Sequence, residues 1–316
     1  MPVHAFIFPG QGSQSVGMGR DLAAASAAAR AVFQEVDEVL KQKLSKLMFE
    51  GPIEELTLTQ NAQPALLAVS LAVLRVLKAE AGIDIKEKSI LVAGHSLGEY
   101  SALAAAGAFS IADAARLLKL RGQAMQRAVA PGIGAMAALL GVELDPARAF
   151  CAEAAAATGE VVECANDNGG GQVVISGHKA AVEKTIELAK AAGVKRAMLL
   201  PVSAPFHCAL MAPAAAEMAA ALAQTPPTPP LVPLIANASA AKATAPDEIR
   251  ELLVQQVTAT VRWRESVLAM TGFGVDSFVE LGAGKVLAGL VRRIAPDAAA
   301  ISAGTPADID ALLKVL

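Results

Sequence analysis

Gly94-His95-Ser96-Leu97-Gly98 has the G-x-S-x-G spacing of a nucleophile elbow. Ile90-Leu91-Val92-Ala93 before it is an apolar run of buried-strand type, and Ser101 to Ala106 after it reads as alanine-rich helix. A sharp strand-to-helix turn forces its central residue into a strained conformation, and glycine on either side lets neighbouring backbone come close. The turn also sets the Ser96 hydroxyl at a helix N-terminus, where free N–H groups favour developing negative charge.

A serine hydroxyl becomes a useful nucleophile once a base accepts its proton, and histidine has the right basicity for that. The chain has four histidines. His4 lies in the first strand-like run, and His178 starts a helix in a separate unit. His95 adjoins Ser96, but successive residues at an elbow point different ways. His207 follows the serine in the chain on the proline-stiffened loop Pro201–His207, which makes it the candidate base. A hydrolase triad needs an acid between the two. Asp145 and Asp167 qualify by order, yet both fall in the separate unit, so a Ser–His dyad with the imidazole held by a backbone carbonyl is expected.

Arg121 is the third chemical candidate. Ser110-Ile111-Ala112-Asp113 resembles a capping box and opens a helix to about Val129. At about 100° per residue, Arg116, Lys119, Gln123 and Arg127 share a solvated face, while Arg121 falls on the apolar arc with Leu117, Leu118 and Met125. A buried guanidinium needs a partner. That partner is either structural, as a salt bridge or water at the helix end, or an anionic substrate. Gly10-Gln11-Gly12 follows the first strand-like run, His4 to Phe8. It lacks dinucleotide-binding spacing, since the residue three beyond Gly12 is Ser15. It is either a tight turn or a loop that holds Gln11 against a site.

Helices are expected around 20–42 and 60–81, the second with Pro64 in its first turn. Residues 135–200 read as βαββαβ, the order of a ferredoxin-like unit, with glycine-rich Asn166–Gly171 between its two middle strands. Strand–helix alternation resumes with Leu234–Asn237, a helix over Asp247–Val257, a strand over Ser277–Leu281 and a helix from Val286. This predicts an α/β fold, a mainly parallel sheet covered on both faces. The division is 1–130 with 202–316 for the large domain and 131–201 for the inserted small one.

Net charge is −3 with scattered basic residues, which gives no electrostatic footprint for nucleic acid. A long uncharged span, Ala197 to Ala216, is broken by three prolines and a histidine, which argues against a membrane helix. MPVHAFIFPGQG lacks a basic n-region, and the three cysteines show no C-x-x-C spacing. A cytoplasmic monomer is expected.

FPGQGSQ at 8–14, GHSLGEYSAL at 94–103, KLRGQAMQ at 119–126, GAMAALLG at 134–141, GQVVISG at 171–177 and PVSAPFHCALM at 201–211 resemble the malonyl-CoA:acyl carrier protein transacylases of fatty acid and polyketide synthesis. The match runs in order along nearly the whole chain. The resemblance implies an α/β-hydrolase-like domain with a ferredoxin-like insertion. It implies Ser96 as nucleophile, His207 as base, Arg121 as grip on the malonyl carboxylate, and Gln11 with the Leu97 N–H as oxyanion hole. It further implies Gln256, counted back from Trp263 and adjacent to Gln255, as the residue whose carbonyl orients the histidine. Phe206 would crowd an α-methyl group and favour malonyl over methylmalonyl. Malonyl-CoA and an acyl carrier protein are the implied partners, with no metal or redox cofactor. The sequence departs from the family at Asn166–Gly171, which is richer in glycine than the usual Asn-x-Asn-Ser-Pro-Gly. Competing readings are a serine thioesterase or esterase, a free-standing acyltransferase of a polyketide or malonate decarboxylase pathway, and a non-catalytic carrier-binding protein.

Overall fold

In a computed structural model that describes residues 2–316, two sheets carry the molecule. β1 (His4–Phe8) and β2 (Leu91–Gly94) are apolar and fully buried, and they pair in parallel at the centre of the larger sheet. The chain then builds a second sheet from β3 (Gly134–Leu140), β4 (Val162–Asp167), β5 (Gln172–His178) and β6 (Arg196–Leu199). It returns to the first with β7 (Leu234–Ile235), β8 (Lys242–Ala243), β9 (Ser277–Leu281) and β10 (Ala299–Ala303). The large sheet runs β10-β9-β1-β2-β7-β8, parallel throughout except at β8. Continuous burial of β1, β2 and β9 is what a parallel sheet covered on both faces requires.

The second sheet is antiparallel in the order β4-β5-β3-β6 and has its own apolar core, with helices Leu144–Thr158 and Lys179–Ala191. This is the ferredoxin-like arrangement expected from the strand and helix order. Its edge strand β4 leans on the large sheet's surroundings. Val261 N–H donates to Ala165 O at 2.8 Å, Asp167 N–H to Val261 O at 3.0 Å, and Arg264 Nε to Asp167 Oδ2 at 2.8 Å.

The helix Thr59–Ala81 begins within one residue of the expected start at 60, and Pro64 sits in its second turn rather than its first. There the proline removes one intrahelical bond, and the buried helix absorbs the loss through packing. This helix is also the one, among the described residues, long and apolar enough to cross a bilayer, rather than the span from Ala197 to Ala216. Of its most apolar window, 78% is buried inside the fold. β8 and β10 have no counterpart in the sequence reading, and neither has the helix Trp263–Gly272.

Candidate active site

The elbow is built by close backbone packing. A Cβ on Gly94 would lie 1.9 Å from the Gly98 carbonyl carbon, and one on Gly98 would lie 2.2 Å from Phe8 O. Both positions therefore exclude any side chain. Ser96, wedged between β2 and the helix Gly98–Ala105, has φ of 53°, left-handed backbone that a non-glycine residue adopts only when its surroundings enforce it. Asn237, just beyond β7, does the enforcing. Its Oδ1 accepts from Ser96 N–H at 2.7 Å and its Nδ2 donates to Gly94 O at 2.7 Å.

His207 shares that strain, with φ of 58°. Ser96 Oγ lies 2.7 Å from His207 Nε2, and His207 Nδ1 lies 2.8 Å from Gln256 O. A carbonyl only accepts, so Nδ1 carries the proton and Nε2 presents its lone pair to the serine. Of the two adjacent glutamines, Gln256 is the buried one that reaches the histidine, and Gln255 is exposed. Burial and the nearby Arg121 push the His207 pKa down to about 3, against the raising effect of the Gln256 carbonyl.

The remaining acid and base candidates are bonded to other groups or buried away from the serine, although His95 also borders the cavity. His95 Nε2 is 2.9 Å from Asn168 Oδ1 in the glycine-rich turn. His178 Nδ1 accepts from Val161 N–H, and His4 lies buried in β1. Asp145 pairs with Arg148 on the surface, and Asp167 is buried against Arg264. Neither carboxylate has a bond to His207, so a backbone carbonyl fills the place of a triad acid.

Arg121 is 1% exposed on the helix Ile111–Ala128, as its position on the apolar arc predicts. Its partners are neutral: Nη1 donates to Gln63 Oε1 at 2.9 Å, and Nη2 donates to Gln256 Oε1 at 2.9 Å and Ser96 Oγ at 3.1 Å. Its plane also stands 5.8 Å from the Tyr100 ring centroid. Gln11, Ser96, Leu97, Arg121, Phe206 and His207 line one cavity of about 610 Å³ between the two sheets. The Gln11 side chain is tied down, its Oε1 accepting from the Thr59 hydroxyl at 2.9 Å. Among the described residues, the N–H groups of Gln11 and Leu97 donate to no other group of the chain, and both border the cavity beside Ser96.

Sequence reasoning missed Glu99, Asn237, Gln63 and Thr59. Glu99 is fully buried, and one of its oxygens accepts from Asn237 N–H at 2.8 Å and Gln256 Nε2 at 3.0 Å. It thus anchors the two residues that hold Ser96, His207 and Arg121. Burial pushes its carboxyl up to about 7 from 4.5, against the two donors and Arg121. A carboxyl raised on folding binds protons more tightly in the folded chain, so its stability contribution is lost as pH rises from about 4.5 to about 7. Glu99→Gln keeps the accepting oxygen and removes this dependence. The melting temperature of the variant minus that of the wild type should therefore climb through that window and then level off. A difference independent of pH would show that Glu99 does not titrate there.

A strained serine at a strand-to-helix turn, a carbonyl-held histidine and two free N–H groups beside them define a serine acyl-transfer enzyme of α/β-hydrolase type. Comparison with known proteins narrows the class. The family profile described as "Acyl transferase domain" matches residues 5–307. The malonyl CoA-acyl carrier protein transacylase of Bacillus subtilis is 46% identical over 99% of this chain and 96% of its own length. The crystal structure of the acyl-carrier-protein S-malonyltransferase from Bartonella henselae superposes with a TM-score of 0.96 at 54% identity, covering 99% of both chains. A malonyl-transacylase solved in complex with its type II PKS acyl-carrier protein gives 0.95 at 42% identity, covering 99% of this chain and 99% of that one. The chain belongs to the malonyl-CoA:acyl carrier protein transacylase family.

Proposed function

We propose that this protein moves a malonyl group from malonyl-CoA to the phosphopantetheine thiol of an acyl carrier protein, through a malonyl ester on Ser96. The observation that carries this reading is the placement of a guanidinium 3.1 Å from the Ser96 hydroxyl, itself 2.7 Å from a base. In a malonyl thioester a single methylene separates the carboxylate from the carbonyl that must be attacked. Only an arginine this close to the nucleophile can hold so short a dicarboxylic acyl group, through a pair of charge-assisted N–H···O bonds.

In the first half-reaction Ser96 Oγ bonds to the thioester carbonyl carbon while His207 Nε2 takes the hydroxyl proton. The N–H groups of Gln11 and Leu97 receive the oxyanion. The C–S bond then breaks, and the proton on His207 passes to the departing thiolate. In the second half-reaction the carrier thiol gives its proton to His207, attacks the ester and frees Ser96. Thioesters are already activated, so the scheme calls on no metal or redox cofactor. Phe206, which borders the cavity next to the base, would narrow the space for an α-methyl group. Three free cysteines, all buried, suit a reducing compartment such as the cytoplasm.

A thioesterase would use the same dyad but pass the acyl group to water, and it has no use for a cation beside the nucleophile. Mass spectrometry separates the two. Incubation with malonyl-CoA should leave one malonyl ester per chain, on the peptide that holds Ser96. That ester should persist in buffer and disappear when a phosphopantetheinylated acyl carrier protein is added. Rapid loss to water without the carrier would favour the thioesterase.

A further inference from the structure

The partners of Arg121 are uncommon for a buried arginine, because each atom it touches is neutral: Gln63 Oε1, Gln256 Oε1 and Ser96 Oγ. A guanidinium only donates, so Gln63 must turn its carbonyl oxygen to it and its NH2 away. That NH2 donates to Thr59 Oγ1 at 2.8 Å, and the Thr59 hydroxyl in turn donates to Gln11 Oε1 at 2.9 Å. Thr59 and Gln63 sit one turn apart on the helix Thr59–Ala81, each 1% exposed. Gln63 also borders the cavity that holds Ser96. The nearest anion, Glu99, directs its bonded oxygen at Asn237 and Gln256 and makes no bond to the guanidinium.

We propose that Gln63 is a specificity-determining residue: it holds Arg121 as a neutral acceptor and so leaves the guanidinium without a bonded acid when a carboxylate-bearing acyl group arrives. The proposal rests on the reading of Arg121 as the partner of the malonyl carboxylate. A carboxylate at position 63 has nearly the same shape and would bond to the same nitrogen. It would form a buried ion pair, and an incoming malonyl carboxylate would then meet a neutralised arginine and a like charge. An acyl group with no carboxylate would meet neither obstacle. The absence of a charge at position 63 is therefore what keeps the pocket selective, and Thr59 holds the amide with its oxygen toward Arg121.

The test compares Gln63→Glu and Gln63→Met with wild type. The readouts are kcat/KM for malonyl-CoA and the rate of Ser96 acetylation by p-nitrophenyl acetate, a small neutral ester. Gln63→Glu should lower malonyl transfer more than ~100-fold and ester acetylation less than ~10-fold, since an opposed charge in a dry site outweighs a changed hydrogen bond. Gln63→Met keeps volume and adds no charge, so its ratio of malonyl to ester reactivity should stay within about tenfold of wild type. Parallel loss of both activities in Gln63→Glu overturns the proposal. So does a Gln63→Met ratio that falls more than tenfold, a result that decides the matter even if the glutamate variant does not fold. Malonyl uptake by wild type with either outcome defeats this inference alone, whereas a wild type that takes up no malonyl defeats the malonyl reading and this inference with it.

Discussion

His207→Ala should lower kcat/KM for malonyl transfer by about 10²–10⁴-fold, the usual worth of a positioned general base. Both half-reactions should slow together, because one imidazole accepts the serine or carrier proton and returns it to the leaving group. With a pKa depressed to about 3, His207 is neutral and ready to accept throughout the working range. Its own protonation should therefore produce no acid limb in the rate profile near the ordinary histidine value of 6.5. The low pKa also makes it a weak base at rest. The imidazolium gains stability as the reaction proceeds, when the nearby oxyanion develops and while Nδ1–H stays bonded to the Gln256 carbonyl at 2.8 Å. His95→Ala is the control, since His95 Nε2 is committed to Asn168 and takes no part in the proton path. If a correctly folded His95→Ala lost as much as this while His207→Ala stayed active, the base would have been assigned to the wrong histidine. Ester formation on Ser96, followed by mass spectrometry at a series of short times, reads the first half-reaction directly.

What the sequence made legible were features carried by neighbours along the chain. The elbow is a strand, a turn and a helix within a score of residues, and its glycines are dictated by contacts inside that segment and with β1. The burial of Arg121 follows from the period of a single helix, and the ferredoxin-like unit from the order of its own elements. What stayed hidden depends on distant pairs. Asn237 lies 141 positions from Ser96 and Gln256 lies 49 from His207, so no local pattern marks them. The choice between Gln255 and Gln256 depends on which carbonyl the helix Pro246–Gln256 presents to the histidine. Gln63 closes the polar opening Thr59-Gln60-Asn61-Ala62-Gln63 of its helix, so its residue type gives no sign of its burial. Glu99 stands in the first turn of the helix Gly98–Ala105, where an acid is ordinary, so its type does not mark it. β10, with the sequence Ala299–Ala303, has weak strand propensity and exists because β9 pairs with it.

Arg121→Ala should cost malonyl transfer roughly 10²–10⁴-fold, since each charge-assisted bond to a carboxylate is worth about 1.5–3 kcal/mol and two are lost. Acetyl transfer should change by less than about tenfold, because two smaller effects oppose each other. The alanine removes the Nη2 contact to Ser96 Oγ at 3.1 Å, which steadies the nucleophile as it loses its proton. It also removes the cation that helps hold the His207 pKa down, which makes the base stronger. A generic serine esterase would show no such split between substrates. Arg121→Lys tests the geometry as well as the charge. An ammonium cannot span Gln63 Oε1, Gln256 Oε1 and Ser96 Oγ as the planar fork does, so malonyl transfer should recover only in part. The measurement is kcat/KM for malonyl-CoA and acetyl-CoA in wild type and both variants, with melting temperatures to confirm folding. If the two substrates fall in parallel, Arg121 serves the fold or the serine alone, and selectivity for a carboxylate-bearing acyl group must reside elsewhere in the cavity.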